Sequence, residues 1–465
     1  MIKNVRSAAP AGGSKPIETR HASLLTAVVW MLIVLMILPK DFVSLFSETP
    51  SPGASQLGSS VNSIGWLIIL VSAVALVGGR VSVALDVFKD LNRGFVLFML
   101  LAIISVAWSA DSGVTIERVR RMLIFSFSAL AFVSYAWYPR RFQDAARPII
   151  LFLLAGSIIY GLMFPELAIH QSDQAELKNS WHGLTFQKNI LGALGTYGVI
   201  LCFHGWLTRE LKLLPALIGF VISITCVLLS RSSTSLLTSA FTMFFLFLAL
   251  RLPPSMKRYM PYIVIFFVLV TAAYALVALG LLPLQGLLNP ISAVTGKDAA
   301  SATGRAPIWA LVKAEITRHP WLGIGYGAYW VGPIPGTASY IFVTAIFFYA
   351  GTAHNGYLDI TNDLGYAGPR HAVVVHRLVR PDSMKLWKID RSQAALYLAL
   401  LFQQGLENLS ESEWLQAQSF NCVVMTLATF AMARALRDAR RARSPSAAAS
   451  SGARQSQPGL GRFAR

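Results

Sequence analysis

Charge is scarce in this sequence, and acid is its scarcest form. Only 13% of the 465 residues are Asp, Glu, Lys or Arg, where a soluble chain of this size carries roughly a quarter. The shortage excludes a soluble enzyme and a disordered polar chain. Cysteine is nearly missing too. Cys202, Cys226 and Cys422 all fall inside apolar stretches, so neither a disulfide framework nor a thiolate metal site is expected.

Hydrophobicity is what the chain has: 55% of its side chains are hydrophobic, with a mean hydropathy of +0.56. Apolar runs fall at Ser23–Leu38, Ile64–Val77, Gly94–Trp108, Met122–Trp137, Pro148–Phe164, Ile190–Trp206, Leu213–Leu229, Ser235–Leu250 and Tyr262–Leu282, then at Ala394–Leu406 and Phe420–Leu436. With flanking residues added, such runs approach the ~20 residues that span a bilayer. The first lacks a small-residue cleavage site and has many successors, so it reads as a span, not a removed signal. The expectation is an all-α, polytopic membrane protein with about 11–12 transmembrane helices.

Lys and Arg exceed Asp and Glu by 18. The excess collects between the runs, as cytoplasmic loops require, which argues against nucleic acid as the partner. Lys3, Arg6, Lys15 and Arg20 place the N-terminal segment, residues 1–22, in the cytoplasm. Alternation then gives cytoplasmic loops with Arg80, Lys89 and Arg93, then Arg140, Arg141 and Arg147, then Arg209 and Lys212, then Arg251, Lys257 and Arg258. One outer loop is awkward, with Arg118, Arg120 and Arg121 against Asp111 and Glu117. The membrane domain is expected over 23–436, with a long extracytoplasmic loop over 283–363, and the Arg-rich 437–465 as a disordered cytoplasmic tail. A loop that long is uncommon without a function.

The topology has a fault. From an outer loop to a cytoplasmic tail the number of further spans must be odd, yet only two apolar runs follow residue 363. The missing span belongs after Gly368, where the sequence reads PRHAVVVHRLVRPDSMKLW. Read one nucleotide later, almost every codon of Pro369–Asp382 is able to encode an apolar residue. Residues 369–383 are therefore read as a frameshifted span, and resequencing the gene tests this. The run Tyr340–Ala350 is too short to cross and is expected to be a re-entrant or interface-lying helix.

The long loop holds GKDAASATGRAPIW (Gly296–Trp309), HPWLGIGYGAYW (His319–Trp330) and HNGYLDITNDLGYAG (His354–Gly368). Arg305, a fixed cation beside a glycine, suits bidentate contact with phosphate oxygens; the plainer reading is a charge snorkelling to lipid headgroups. His354, followed by Asn355, offers a proton donor or acceptor near neutral pH; the plainer reading is a hydrogen-bonded loop histidine. Gly323, Gly325 and Gly327 imitate a nucleotide loop without its strand–helix context, and are read as turn residues. Trp309, Trp321 and Trp330 have two readings, sugar stacking and interface anchoring. The loop has no paired-Asp motif and no His-x-x-His spacing, so no metal and no cofactor is expected.

Together these strings resemble the O-antigen ligase and polysaccharide polymerase superfamily, and within it the exopolysaccharide-polymerase branch. The resemblance covers roughly residues 20–436. It rests on the block Gly296–Trp309 with Asp298, Arg305 and Trp309, on His319–Trp330, on His354–Asp359, and on NLSES at Asn408–Ser412. A fifth string, WHGLTFQKNILG at Trp181–Gly192, carries Lys188 and Asn189, with Gln187 where the family has histidine. The resemblance implies a GT-C-like architecture and a metal-independent glycosyltransferase at the outer face of the bacterial inner membrane. Its substrates would be undecaprenyl-pyrophosphate-linked oligosaccharides. Membrane lipids, a chain-length regulator and export proteins would be its partners.

Arg305 and His354 match the family's functional arginine and essential histidine. Lys188, Asn189, Arg231, Asn355, Asp298 and Trp309 are carried over as substrate-binding residues. The resemblance leaves His354 either as the base for the acceptor hydroxyl or as a pyrophosphate ligand. In LSRSSTSLL, Ser233 stands where the family often has arginine, and Arg231 lies two positions earlier. The rival readings are an O-antigen ligase with lipid A core as acceptor and a polysaccharide flippase. A flippase needs ionisable residues inside its spans, and the nine runs before residue 283 hold little beyond His204.

Overall fold

The computed structural model describes residues 16–37, 60–171, 177–253, 305–366 and 385–443, except 414 and 418, together with isolated positions between 259 and 269. The protein is all-α. Among the described residues there is no strand, only a single bridge between Ile169 and Trp181.

The helices follow the apolar runs. They are α1 (Pro16–Ile37), α2 (Ser60–Gly78), α3 (Val81–Lys89), α4 (Arg93–Ile104), α5 (Ser112–Ser134), α6 (Arg141–Met163), the short α7 (Pro165–Ala168), α8 (Lys188–Leu207), α9 (Leu213–Leu229) and α10 (Ser233–Arg251). After the long loop begins come α11 (Ala306–Arg318), α12 (Ile341–Ala345), α13 (Gly356–Leu364), α14 (Arg391–Glu407) and α15 (Phe420–Arg443). Side-chain caps fix several starts: the oxygens of Asn92, Asp111 and Asp390 accept from the amides of Phe95, Val114 and Gln393 at 3.0–3.1 Å, each satisfying an orphan donor of a first turn.

By length and composition, α6, α8 and α10 can each cross a membrane, and α2 with α3 forms a further candidate bent by 95°. These are the candidates among the described residues, against eleven or twelve spans expected for the whole chain. α4 and α9 are apolar but short, and α15 carries arginines at its far end. The expected span at 262–282 lies, but for isolated positions, outside the described residues, as does the segment 369–383. Several boundaries differ from the sequence reading, two of them through a shared contact. α3 occupies what reads as a cytoplasmic loop, and α15 runs on to Arg443. Both differences have one cause, because Asp86 of α3 pairs with Arg437 (3.4 Å) and Arg441 of α15.

Small residues let the central helices approach, as membrane packing demands. A Cβ at Gly195 would stand 2.7 Å from Val227 of α9, and one at Gly198 only 2.2 Å from Ser223. Thr196 of α8 and Ser239 of α10 share a hydrogen bond of 3.0 Å.

The bundle has two ends, and loops that alternation assigns to one side meet at one end. Arg147 pairs with Glu210 at 3.2 Å, His204 Nε2 contacts the Ser392 carbonyl at 3.0 Å, and Arg391 Nε donates to the Ala249 carbonyl at 2.7 Å. At the opposite end the Ala110 amide donates to Ile324 O and Trp108 Nε1 to Leu322 O, both at 2.9 Å. The awkward arginines settle there as structure. Arg118 and Arg121 are buried, Arg121 pairs with Glu117, and Arg118 packs against Gly327. The chain is at this end at Tyr366, whose amide donates to Pro320 O at 2.7 Å. By Arg391 it is at the other.

Candidate active site

The motif blocks converge at the second end, and each residue has a local reason to be there. α11 buries Ile308, Trp309, Val312 and Ile316 along one face, the spacing of an amphipathic helix. Arg305 stands at its N-cap. Trp309 Nε1 donates to Ala353 O at 2.9 Å. From the other side, Ala353 N donates to both carboxylate oxygens of Asp359 (3.1 and 3.2 Å), and Asp359 Oδ1 also accepts from Trp330 Nε1 at 2.7 Å. The loop before α13 is thus pinned by three of the motif strings. His354 sits at its end with φ +48°, a left-handed conformation that costs a non-glycine residue ~1–3 kcal/mol.

The string HNGYLD closes on NLSES. Asn355 caps α13, its Oδ1 accepting from Tyr357 N and Leu358 N at 3.1 Å, while its Nδ2 donates to Leu409 O at 3.3 Å. Gly356 N donates to Asn408 O and Glu411 O at 2.9 and 3.0 Å, and a Cβ there would lie 2.1 Å from Asn408 Oδ1. Glycine is required by that approach. The turn reading of the other glycines agrees with the geometry: Gly323 and Gly327 have φ +68° and +69°, with Asp363 and Arg118 where a Cβ would go.

Glu411 is the centre of the site. Its Oε1 accepts from Arg305 Nη2 at 3.0 Å and from Asn189 Nδ2 at 2.7 Å, and its Oε2 faces His354 Nδ1 at 3.3 Å. Arg305 Nη1 donates to Ser410 O and to His354 O, so one guanidinium clamps the histidine loop to the turn after α14. Thr234 of α10 holds the Ser410 hydroxyl at 2.8 Å. Burial pushes the Glu411 carboxyl up, but Arg305 and then His354 hold it below the usual carboxylate range. A carboxylate on Nδ1 favours the tautomer that leaves Nε2 as a proton acceptor.

Beside this cluster lies a cavity of about 150 Å³ bordered by Phe186, Trp330, Ser412, Glu413, Gln416 and Phe420, and also by Arg118, Asp359 and Asp363. Its carboxyls behave oppositely to Glu411. Burial raises Asp359 and takes Glu413 to about 7, with the Glu411 charge adding to it. Asp363 is raised to about 8 by burial and by Asp359.

Of the residues expected from sequence, the structure brings Arg305, His354 and Asn189 onto one carboxylate. Lys188 is buried at the start of α8. Arg231 (φ +51°) is exposed and donates to Lys178 O at 3.1 Å, outside the Glu411 cluster. Trp309 and Asn355 are buried, and their polar atoms serve the loop and the helix cap. Asp298 lies outside the described residues. Glu411 was missed as a site residue although it sits inside the NLSES string. The available signal was an acid in a chain poor in acids, but Glu407 and Glu413 are its near neighbours in sequence. The run at 340–350 forms only α12 and leaves Phe347 and Phe348 exposed. Among the described residues no group of His, Cys, Asp and Glu could hold a metal ion.

No curated protein matches the chain. Residues 218–368, which run from α9 through α13 and include both Arg305 and His354, match the family model described as O-antigen ligase. That match makes this stretch of the chain similar to the O-antigen ligase and polysaccharide polymerase superfamily.

Proposed function

We propose that this protein is an exopolysaccharide or O-antigen polymerase. It joins undecaprenyl-pyrophosphate-linked oligosaccharide repeat units by metal-independent glycosyl transfer at the outer face of the bacterial inner membrane. The observation that carries the reading is Glu411 held by Arg305 at 3.0 Å and facing His354 at 3.3 Å, with Phe347 and Phe348 exposed a few residues before His354 in the chain. A cation, an oriented imidazole and an apolar approach suit a substrate that carries its phosphate on a lipid.

In this reading His354 Nε2 takes the proton of the acceptor hydroxyl. That oxygen bonds to the anomeric carbon of the donor, the carbon–oxygen bond to the pyrophosphate breaks, and undecaprenyl pyrophosphate leaves with the electron pair. Arg231, exposed and bonded among the described residues to a backbone carbonyl, grips the pyrophosphate. Arg305 fixes the histidine loop and lends positive potential to the leaving group. Lys188 adds charge at the start of α8.

The test is complementation of a polymer-deficient strain with sizing of the lipid-linked glycan. Arg305→Ala and His354→Ala should each abolish polymer at normal protein level, with single repeat units accumulating. Wild-type polymer in either variant refutes the reading. The description of the matched family names one alternative, an O-antigen ligase, for which the acceptor would be lipid A core. That reading predicts finished chains stranded on the lipid carrier instead.

A further inference from the structure

At the end of the bundle away from Glu411, α2 stops and the chain turns through 95° into α3. The corner is held by side chains. Tyr135 Oη donates to Leu76 O at 2.8 Å, and a Cβ at Gly79 would lie 2.5 Å from that hydroxyl, so glycine lets the ring close on the turn. The Arg80 guanidinium covers the same ring at 4.9 Å. With 19 residues, α2 covers most of a hydrocarbon core at ~1.5 Å per residue. A helix at a right angle to it runs along the membrane surface instead of through it.

The residues of α3 sort by face. Ala84 and Val87, with Leu91 one turn on, are buried against the bundle. Asp86 and Asp90 turn toward α15, where Asp86 pairs with Arg437 at 3.4 Å and with Arg441, and Asp90 pairs with Arg440. Ser82 and Lys89 are exposed. The remaining stripe is apolar and open: Val81, Leu85 and Phe88 are each 50–56% exposed, at the i, i+4, i+7 spacing of one helix face. A helix lying in an interface needs this division, with one side for the protein, one for acyl chains and the rest for headgroups and water.

Charge identifies the lipid. Arg437, Arg440 and Arg441 outnumber the carboxylates of Asp86 and Asp90, and the side chains of Lys89, Arg440 and Arg441 remain 62–75% exposed. Arg93, one turn beyond Lys89, is exposed as well. An open apolar stripe beside exposed cations is complementary to a leaflet that carries anionic phospholipid.

We propose that α3 is an interfacial helix that seats Val81, Leu85 and Phe88 among the acyl chains of the adjoining leaflet and, with Lys89 and the arginines of α15, binds anionic phospholipid headgroups. The surface lies at the far end from the proposed chemistry and stands independently of it.

The test uses the full chain in nanodiscs of mixed phosphatidylcholine and phosphatidylglycerol. The native cysteines are buried, so a fluorophore is placed selectively on Leu85→Cys or, as the water-side control, on Ser82→Cys. Both positions are exposed, and the fold tolerates the label. Brominated acyl chains should quench the Leu85 probe severalfold more than the Ser82 probe, and aqueous iodide the reverse. Equal quenching of the two probes by iodide overturns the proposal. So does a Leu85 probe reached by neither quencher, because protein, such as a second copy of the chain, then covers the stripe. Native mass spectrometry of protein released from the same discs should show phosphatidylglycerol retained in preference to phosphatidylcholine. Lys89→Gln with Arg440→Gln should lower that preference by about fivefold per charge removed, while the charge-keeping Lys89→Arg with Arg440→Lys should preserve it. Equal retention of the two lipids, or an unchanged preference in the neutralised variant, overturns the proposal as well.

Discussion

Glu411 and Glu413 stand two positions apart on one turn, and their surroundings drive them in opposite directions. Glu411 meets Arg305, Asn189 and His354 and is held ionised. Glu413 faces a cavity whose other acids, Asp359 and Asp363, are themselves raised by burial, and it keeps its proton to about pH 7. Burial is common to both. What separates them is the partner: a cation within hydrogen-bond reach outweighs desolvation, and without one desolvation wins. One short turn thereby provides an anionic anchor for the histidine and, next to it, a carboxyl able to donate a hydrogen bond.

The sharpest way to break the comparison is to remove the anchor. Glu411→Ala takes the shared partner from Arg305, Asn189 and His354 together. Polymer formation should fall by ~10²–10⁴, the range of a disabled general base. Glu411→Gln should lose nearly as much, because an amide neither neutralises Arg305 nor stabilises the imidazolium. A double-mutant cycle sharpens it further. His354→Ala added to Glu411→Ala should cost little more than either alone, since they act as one unit. Additive losses, measured as lipid-linked glycan per unit protein, would mean the contact is incidental.

Arg231 and Arg305 extend the comparison to cations. Arg305 is bonded to two carbonyls and a carboxylate, whereas Arg231 has an exposed side chain on one carbonyl. Arg231→Ala should lower polymer yield by ~10-fold or more through weaker substrate binding, one charged contact's worth. It should leave the thermal midpoint unchanged. Arg305→Ala should lower both. A loss of stability in Arg231→Ala equal to that in Arg305→Ala would place the two arginines in the same structural role.

The comparison also shows which parts of the molecule were legible. Apolar runs are local signals, and those before residue 253, with the two after residue 390, coincide with helices. Arg305 and His354 stood out as isolated polar residues in glycine-rich strings. Glu411 did not, because its role is non-local: it meets residues from α8, the start of α11 and the loop before α13. The α3 helix escaped for a related reason. Its charged residues read as a loop until Arg437 and Arg441, far along the chain, provide the partner for Asp86. The tryptophans divide as sequence could not foresee. Trp309 fixes a loop, Trp321 is exposed, and Trp330 lines the cavity.

The smallest expected effect is on stability against pH, and it separates the two glutamates most directly. Unfolded, each titrates near its ordinary 4.5. Folded, Glu413 holds its proton to about 7, so between these values the native state binds the extra proton. Its contribution is fully present below about pH 4.5 and is lost as the pH rises through about 7. Glu411 does the reverse: its folded value is lowered, so its contribution is present above the ordinary value and is lost on acidification. Asp363, raised to about 8, adds to the Glu413 trend, and Arg118 and Asp359 face the same cavity. Thermal midpoints in nanodiscs from about pH 3 to about pH 8 should therefore show, above about pH 4.5, a decline in the wild type that Glu413→Gln reduces and Glu413→Gln with Asp363→Asn reduces further, Asp359 keeping a share of it. Glu411→Gln should keep most of that decline, because burial is its first cause and the Glu411 charge a lesser one, while flattening the acid side. If Glu413→Gln changes nothing and Glu411→Gln removes the decline, the cavity is not what raises Glu413, and the contrast between the two residues has been assigned the wrong way round.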